Sequence, residues 1–127
     1  MVNVLLIFLG SGLGALARYK LGSLALHQWP DWRFPVGTCL VNVLGCLVAG
    51  VLAGAAERQG LFTANTRHFL FTGLLGGFTT FSAFGLETVY LLRRGDAGAA
   101  FGYVILSVIG GVAAIWLGIS MNPHRSA

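Results

Sequence analysis

The sequence predicts an all-α integral membrane protein with four transmembrane helices per subunit. Of its 127 residues, 56% are hydrophobic and 9% are charged, whereas an ordinary soluble domain carries about 25% charged residues. So few charges cannot cover a globule of this size with a solvated surface. The mean hydropathy of +0.79 agrees, and the length predicts that residues 1–127 form a single transmembrane domain.

Four apolar stretches reach the length of about 20 residues that a membrane-spanning helix requires. The first contains Ala15-Leu16-Ala17, which resembles a signal-peptide cleavage site, but the lack of a basic segment before it and the later spans favour its retention. Only short polar segments separate the stretches, so no soluble domain is expected between them. The predicted spans cover about residues 2–26, 35–56, 69–92 and 97–121.

The positive charges hardly distinguish the two ways of inserting four spans. An even number of spans places both termini on one side, with three basic residues there and five on the other side. This balance is typical of a dual-topology protein, and a weakly biased protein with one orientation is the alternative. The residues counted are Arg58, Arg67 and Arg125 on the terminal side, and Arg18, Lys20, Arg33, Arg93 and Arg94 on the other.

Glycines occur at helical spacing in every span and indicate close helix packing. Two small residues four positions apart allow helix backbones to approach each other. Four closely packed helices leave no aqueous lumen, so a transport pathway forms more easily between subunits, and we expect a homodimer at least. The pairs are Gly10 and Gly14, Gly50 and Gly54, Gly73 and Gly77, and Gly98 and Gly102.

The third span contains the sequence Gly76-Gly77-Phe78-Thr79-Thr80-Phe81-Ser82-Ala83-Phe84 and is expected to break in mid-membrane. Adjacent glycines followed by hydroxyl residues lower helix propensity there. Irregular backbone at that depth is tolerated where protein covers it or where it lines a polar cavity. Its free carbonyls are suited to a hard cation such as sodium. The alternative is a kinked but continuous helix whose hydroxyls bond to the previous turn.

Phe81 and Phe84 share a face if a helix resumes after this break. Aromatic residues at that spacing in a membrane usually face lipid or the protein core. Here they lie beside Thr80 and Ser82, and the positive edge of an aromatic ring attracts a small anion. They are therefore candidates for an anion pathway.

Polar side chains also occur inside the second and fourth spans. Thr38 and Asn42 lie one helical turn apart, and Tyr103 and Ser107 repeat that spacing. Either these groups form interhelical hydrogen bonds, which is the usual role of a lone Asn in a membrane, or they line a polar pathway.

Arg18 and Glu87 are ionisable residues inside predicted spans, and such residues are functional candidates. Arg18 lies near the end of its span, where it either extends towards the interface or gathers anions. Glu87 repels anions unless it is protonated or donates its proton, and a salt bridge is its other possible role.

The sequence lacks a phosphate-binding loop, a nucleophile elbow and a metal-ligand cluster, so no enzyme is expected. The basic residues are spread between apolar stretches rather than gathered in a stripe, so no nucleic-acid partner is expected either. No protein partner other than a second copy is implied.

The third-span sequence resembles the GG-x-[ST]-TFS-[TA]-F signature of the Fluc (CrcB) family of fluoride channels. The resemblance extends over nearly the whole chain, including the segments 10–19 and 37–42. It implies a fluoride-selective channel of the bacterial inner membrane that exports fluoride passively. It also implies an antiparallel, dual-topology homodimer with two fluoride pores and one central sodium ion at the interface.

The resemblance further implies roles for individual residues. Gly76 and Thr79 match the positions whose backbone carbonyls hold the sodium ion. The residues that match the fluoride pathway are Phe81, Phe84 and Asn42, with Thr38, Thr80, Ser82, Tyr103 and Ser107 as its polar track, Glu87 as an adjacent carboxylate and Arg18 as a vestibule arginine.

Two other functions remain open. One is a proton-coupled exporter, either a fluoride/proton antiporter that uses Glu87 or a four-helix, dual-topology exporter of small molecules. The small-molecule exporter fits less well, because it needs an acidic residue in the first span and none precedes Arg18. The other is a membrane subunit that assembles with itself and transports nothing.

Overall fold

The computed structural model describes residues 1–28, 34–60 and 62–122, and in those ranges the secondary structure is helical, with no strand. Arg33 and Arg125, two of the residues in the charge count, lie outside the described ranges. The elements in chain order are α1 (Val2–Gln28), α2 (Val36–Gln59), α3 (Ala64–Arg67), the π-helix π1 (His68–Leu75), α4 (Gly76–Phe78), α5 (Phe81–Arg93) and α6 (Ala97–Ser120).

Four helical stretches in the described ranges are long and apolar enough to cross a membrane: Val2–Gln28, Val36–Gln59, Ala64–Arg93 and Ala97–Ser120. The prediction of an all-α protein with four membrane spans is confirmed. The third stretch begins at Ala64 rather than near residue 69, because Thr63 caps it: the Thr66 amide donates to Thr63 Oγ1 at 3.2 Å.

Helix α1 packs against the first half of the third span through glycines on both sides. A Cβ atom built on Gly10 would lie 3.1 Å from Gly73 Cα, and one built on Gly14 would lie 2.8 Å from the Phe78 amide nitrogen. A Cβ on Gly77 would collide with the backbone of Ser11. These glycines therefore allow a backbone-to-backbone contact that no larger residue permits.

Helices α2 and α6 form a second close pair. A Cβ on Gly50 would lie 2.9 Å from Ile115 Cα, and one on Gly118 would lie 2.7 Å from the Val51 amide nitrogen. The fourth glycine pair behaves differently, because a Cβ built on Gly98 or on Gly102 meets no atom within 4 Å. Within the described chain this pair packs against no other helix, so close packing there stays a prediction.

The third span changes its backbone geometry twice. Residues His68–Leu75 form a π-helix, whose hydrogen bonds reach five residues back rather than four. After α4, Thr79 (φ −82°, ψ 156°) and Thr80 (φ −148°, ψ 114°) have extended backbones. Helix α5 then begins at Phe81, and its Ala83 amide donates to the capping Thr80 Oγ1 at 3.2 Å.

The buried core is small, and Val41, Leu91 and Tyr103 are its largest fully buried side chains. Many large apolar side chains lie on the surface, including Phe8 and Trp116. Such a surface suits acyl chains, and the protein is a multi-pass protein of the cell membrane.

Candidate functional site

Asn42 on α2 and Thr80 in the third span form a paired hydrogen bond. Asn42 Nδ2 donates to the Thr80 carbonyl at 3.0 Å, and the Thr80 amide donates to Asn42 Oδ1 at 2.8 Å. The Asn42 side chain thus supplies the backbone amide and carbonyl of Thr80 with the hydrogen-bond partners that another stretch of backbone would otherwise provide. One of the two Nδ2 hydrogens is used in this pair, so the second hydrogen is left as a donor.

These contacts divert two amides from the carbonyls that they would meet in a continuous helix. There the Thr80 amide would donate to the Gly76 carbonyl, and the Ala83 amide would donate to the Thr79 carbonyl. Here the two amides donate to Asn42 Oδ1 and Thr80 Oγ1. The carbonyls of Gly76 and Thr79 therefore lack their helical donors.

Arg18 contacts the same region rather than extending only towards an interface. Its Nη1 donates to the Thr79 carbonyl at 3.4 Å, and its side chain is partly buried. Thr79 Oγ1 donates back along its own helix to the Leu75 carbonyl at 2.9 Å. A fixed positive charge thus lies beside the interruption of the third span.

Glu87 on α5 is held by hydroxyls from two other helices. Thr38 Oγ1 on α2 donates to Glu87 Oε1 at 2.7 Å, and Tyr103 Oη on α6 donates to Glu87 Oε2 at 2.7 Å. Both carboxylate oxygens act as acceptors, which suits an ionised carboxylate. No salt bridge to Glu87 is found in the part of the chain that the structure describes, and the two hydroxyls fix the carboxylate instead.

Four aromatic rings connect the start of α5, beside the Asn42–Thr80 pair, with the surroundings of Glu87. The ring centroids of Phe81 and Phe84 are 5.6 Å apart, those of Phe84 and Tyr103 are 5.1 Å apart, and those of Tyr103 and Phe34 are 5.3 Å apart. Tyr103 is fully buried, whereas Phe81 is 84% exposed on the surface of the protomer. The row of rings therefore runs from the core to an open face beside the interruption.

The remaining predicted residues lie at the edges of this arrangement. Ser82 Oγ is 3.4 Å from Thr80 Oγ1, at the exposed start of α5. Ser107 Oγ is directed at Cys39 Sγ, 3.9 Å away, one turn of α6 beyond Tyr103. Neither Ser82 nor Ser107 is thus hydrogen-bonded to Glu87 or Asn42 within residues 1–28, 34–60 and 62–122.

A cavity of about 620 Å³ opens next to Glu87. Thr38 and Glu87 line it together with Arg93 and Arg94, which come from the last turn of α5 and the residue after it. Positive charge on the lining of a cavity raises the local concentration of anions.

Within the described ranges, no group of three or more His, Cys, Asp or Glu side chains is placed to hold a metal ion. Backbone carbonyls are the other source of ligands. The carbonyls of Gly76 and Thr79 have lost their helical donors, as shown above, and oxygen atoms of this kind are the ligands that hard cations prefer. The interruption therefore offers ligands of the right chemistry for a cation such as sodium.

Sequence reasoning missed three features of the site. It did not foresee that Asn42 pairs with the backbone of Thr80, that the π-helix precedes the interruption, or that Phe34 packs edge-on against Tyr103. Thr38 and Asn42 were correctly placed on one face of α2, and the spacing of four residues was the signal.

Known proteins of one family are similar to this chain over most of its length. Residues 5–119 match the family model described as CrcB-like protein, Camphor Resistance (CrcB). A protein of Methylobacillus flagellatus named fluoride-specific ion channel FluC is 50% identical over 121 residues, which cover 95% of this chain and 94% of that protein.

Two further relatives have similar names. FluC 2 of Nitrobacter hamburgensis is 41% identical and the match covers 97% of this chain and 98% of that protein. FluC of Opitutus terrae is 45% identical, covering 90% of this chain and 87% of that protein. The family match spans most of the chain, and these identities hold over nearly the full length of each relative, so the chain belongs to the CrcB family.

Proposed function

We propose that this protein is a fluoride-selective ion channel that lowers cytoplasmic fluoride by letting the ion leave the cell passively. Membership of the CrcB family and relatives named as fluoride-specific channels support this function. The structural observation that carries it is the interruption at Thr79 and Thr80, with Asn42 and the row of aromatic rings beside it. A channel of this class carries out no enzymatic reaction.

Fluoride is small and strongly hydrated, so the main barrier to its passage is the loss of its water shell. A pathway must replace that water with hydrogen-bond donors, strongly enough for entry and weakly enough for exit. At the interruption these donors are the second Nδ2 hydrogen of Asn42 and the hydroxyl of Ser82, with the amides of the first two residues of α5 beside them. The edges of the Phe81 and Phe84 rings contribute positive potential.

Further along the pathway the ion would meet the hydroxyls that hold Glu87. Thr38 and Tyr103 both donate to its carboxylate in this structure. A passing fluoride ion and the carboxylate would compete for the same two donors, so fluoride would be bound loosely rather than trapped. Ser107 continues the polar side of α6 by one turn and completes the proposed track. The cavity beside Glu87 would then connect the track to water.

We also propose that the functional unit is an antiparallel, dual-topology homodimer with two pores. The near balance of positive charge between the two sides supports this arrangement. Phe81 is 84% exposed in the protomer, so a second copy would complete the walls of its pathway. Gly98 and Gly102 also lie free on the surface of α6, where they would suit contact with another helix.

The interruption lies near the middle of the 30-residue third span, and we propose that it lies at mid-membrane and holds one sodium ion at the centre of the dimer. The ligands would be the carbonyls of Gly76 and Thr79, the pair that has lost its helical donors. Two carbonyls are few for a hard cation, and the same pair from a second copy would complete the set. When bound, sodium supplies a fixed positive charge that links the subunits and attracts anions.

A fluoride/proton antiporter is the second candidate, because Glu87 is a carboxylate within a span and lies beside the pathway. In this structure both oxygens of that carboxylate accept from hydroxyls, so the atoms that an antiporter would use to take up and release a proton are already occupied. Passive conduction therefore agrees better with the geometry.

The test is ion release from proteoliposomes that contain the purified protein, followed with ion-selective electrodes. Vesicles loaded with equal concentrations of fluoride and chloride should release fluoride and retain chloride when the membrane potential is collapsed with an ionophore. Protein-free vesicles are the control. Release of both anions at similar rates, or of neither, would rule out a fluoride-selective channel.

A further inference from the structure

We infer that Asn42 and Thr80 are positioning residues: their side chains keep the two ligand carbonyls of the cation site at the third-span interruption free of helical hydrogen bonds. Each accepts the amide hydrogen that would otherwise close a helical bond onto one of the two proposed ligand carbonyls. The inference rests on the proposed function, which assigns a sodium ion to the carbonyls of Gly76 and Thr79.

Asn42 keeps the Gly76 carbonyl available to a cation. The Thr80 amide donates to Asn42 Oδ1 at 2.8 Å, and the reciprocal bond from Nδ2 to the Thr80 carbonyl fixes the amide group in place. In a membrane an amide without a hydrogen-bond partner is strongly unfavourable. Without Asn42, the Thr80 amide would turn to the carbonyl four residues back, which is that of Gly76, and this carbonyl would no longer be available to a cation.

The Thr80 side chain keeps the Thr79 carbonyl available to a cation. Its Oγ1 accepts from the Ala83 amide at 3.2 Å, as a helix cap. Without that hydroxyl, the Ala83 amide would turn to the Thr79 carbonyl, again four residues back. The Thr79 hydroxyl is no substitute, because it donates to the Leu75 carbonyl at 2.9 Å.

The Thr79 carbonyl also accepts from Arg18 Nη1 at 3.4 Å. A carbonyl oxygen has two lone pairs, so this long bond uses one of them and leaves the other for a cation. The Ala83 amide would compete for that remaining lone pair if Thr80 lost its hydroxyl. Asn42 and Thr80 therefore couple the extended backbone of the interruption to the affinity for sodium.

The experiment measures the melting temperature of the purified full-length protein in detergent as sodium replaces N-methyl-D-glucamine at constant ionic strength. A ligand that binds only the folded protein raises its melting temperature with concentration. Wild type should show this rise, and Asn42→Ala should shift the sodium concentration at its midpoint upward by about tenfold or more.

Asn122→Ala is the matched control. The Asn122 side-chain amide also bonds across two helices, donating to the Val51 carbonyl at 3.0 Å, but it lies at the end of α6, away from the interruption. This variant should melt at a lower temperature in every buffer while keeping the wild-type sodium midpoint. A purely structural role for Asn42 would give the same result in Asn42→Ala.

A second pair of variants keeps the test decisive if Asn42→Ala does not fold. Thr80→Val removes the capping hydroxyl and should raise the sodium concentration at the midpoint. Thr80→Ser keeps the hydroxyl and should have the wild-type midpoint. An unchanged midpoint in every foldable Asn42→Ala and Thr80→Val sample, beside a responding wild type, would overturn the inference and leave the proposed function intact. A wild type that does not respond to sodium would overturn both the cation site and the inference, but not fluoride conduction.

Discussion

Thr38 and Asn42 lie one helical turn apart on α2 and both contact the third span, yet their partners differ in kind. Asn42 binds the backbone of Thr80 through two hydrogen bonds. Thr38 binds the end of a flexible side chain, the carboxylate of Glu87, which is shared with Tyr103. A side chain that binds backbone determines the path of the chain, whereas two side chains that bind each other are free to exchange partners.

Asn42 and Thr38 therefore have different roles on the same polar face of α2. The Asn42 region, with Phe81 beside it, maintains an interruption that a membrane tolerates only where protein covers it or where it lines a polar cavity. The Glu87 region offers donors that an anion and a carboxylate can take in turn. Changes in the first region should therefore slow conduction more than changes in the second.

Phe81→Ile should have the largest effect on fluoride release. It removes a ring edge at the open face of the interruption while keeping an apolar side chain, so the dimer should remain intact. We expect a loss of more than about a hundredfold in the rate, or about 2.7 kcal/mol, measured by efflux from proteoliposomes. Phe8→Ile is the control, because Phe8 is another exposed ring, 73% accessible, on α1. Equal rates for the two variants would remove Phe81 from the pathway.

Asn42→Asp should reduce release by about tenfold to a hundredfold, because a part-buried polar group that loses its hydrogen-bond partner costs about 1 to 3 kcal/mol. The carboxylate cannot donate to the Thr80 carbonyl, and it adds a negative charge beside the path of an anion. Asn122→Asp tests the same chemical change away from the interruption and should conduct normally. A normal rate in Asn42→Asp would place Asn42 outside the pathway.

Glu87→Gln should slow release by about tenfold. The glutamine oxygen can accept from one hydroxyl, while its NH₂ group faces the other hydroxyl in place of the second acceptor. Efflux assays and size-exclusion chromatography should show a slower channel of unchanged assembly. If Glu87→Gln conducted no fluoride, substitutions around Glu87 would be at least as damaging as substitutions around Asn42.

Thr38→Val should have the smallest effect, within about threefold of wild type. It removes one of the two donors to Glu87, and Tyr103 still holds the other carboxylate oxygen. Thr38→Ser keeps the hydroxyl and should match wild type in the same efflux assay. If Thr38→Val reduced the rate as much as Asn42→Asp, the distinction between backbone and side-chain partners would fail.

Much of the architecture could be predicted because it depends on local properties. Length and apolar composition predicted the four spans, and glycine spacing marked Gly10, Gly14, Gly73 and Gly77 as positions of close helix packing, without indicating that the first pair meets the second. The free pair Gly98 and Gly102 shows the limit of that reasoning, because spacing says nothing about which neighbour a glycine meets.

The partners within the site could not be predicted, because they depend on how distant segments align. Thr38 and Glu87 are 49 positions apart, and Arg18 and Thr79 are 61 apart. The π-helix also leaves no trace in hydropathy, since its altered hydrogen bonding changes the register of the span without changing its composition. That register decides which groups of the third span face α1 and α2.

Passive passage of fluoride is tested by its release from strongly buffered proteoliposomes at equal internal and external pH, with a potassium diffusion potential imposed by valinomycin. A passive channel should give rapid release whose rate follows the imposed potential and does not change when a pH gradient replaces equal pH at a matched potential. Release that requires a pH gradient, or that ignores the potential, would contradict passive passage.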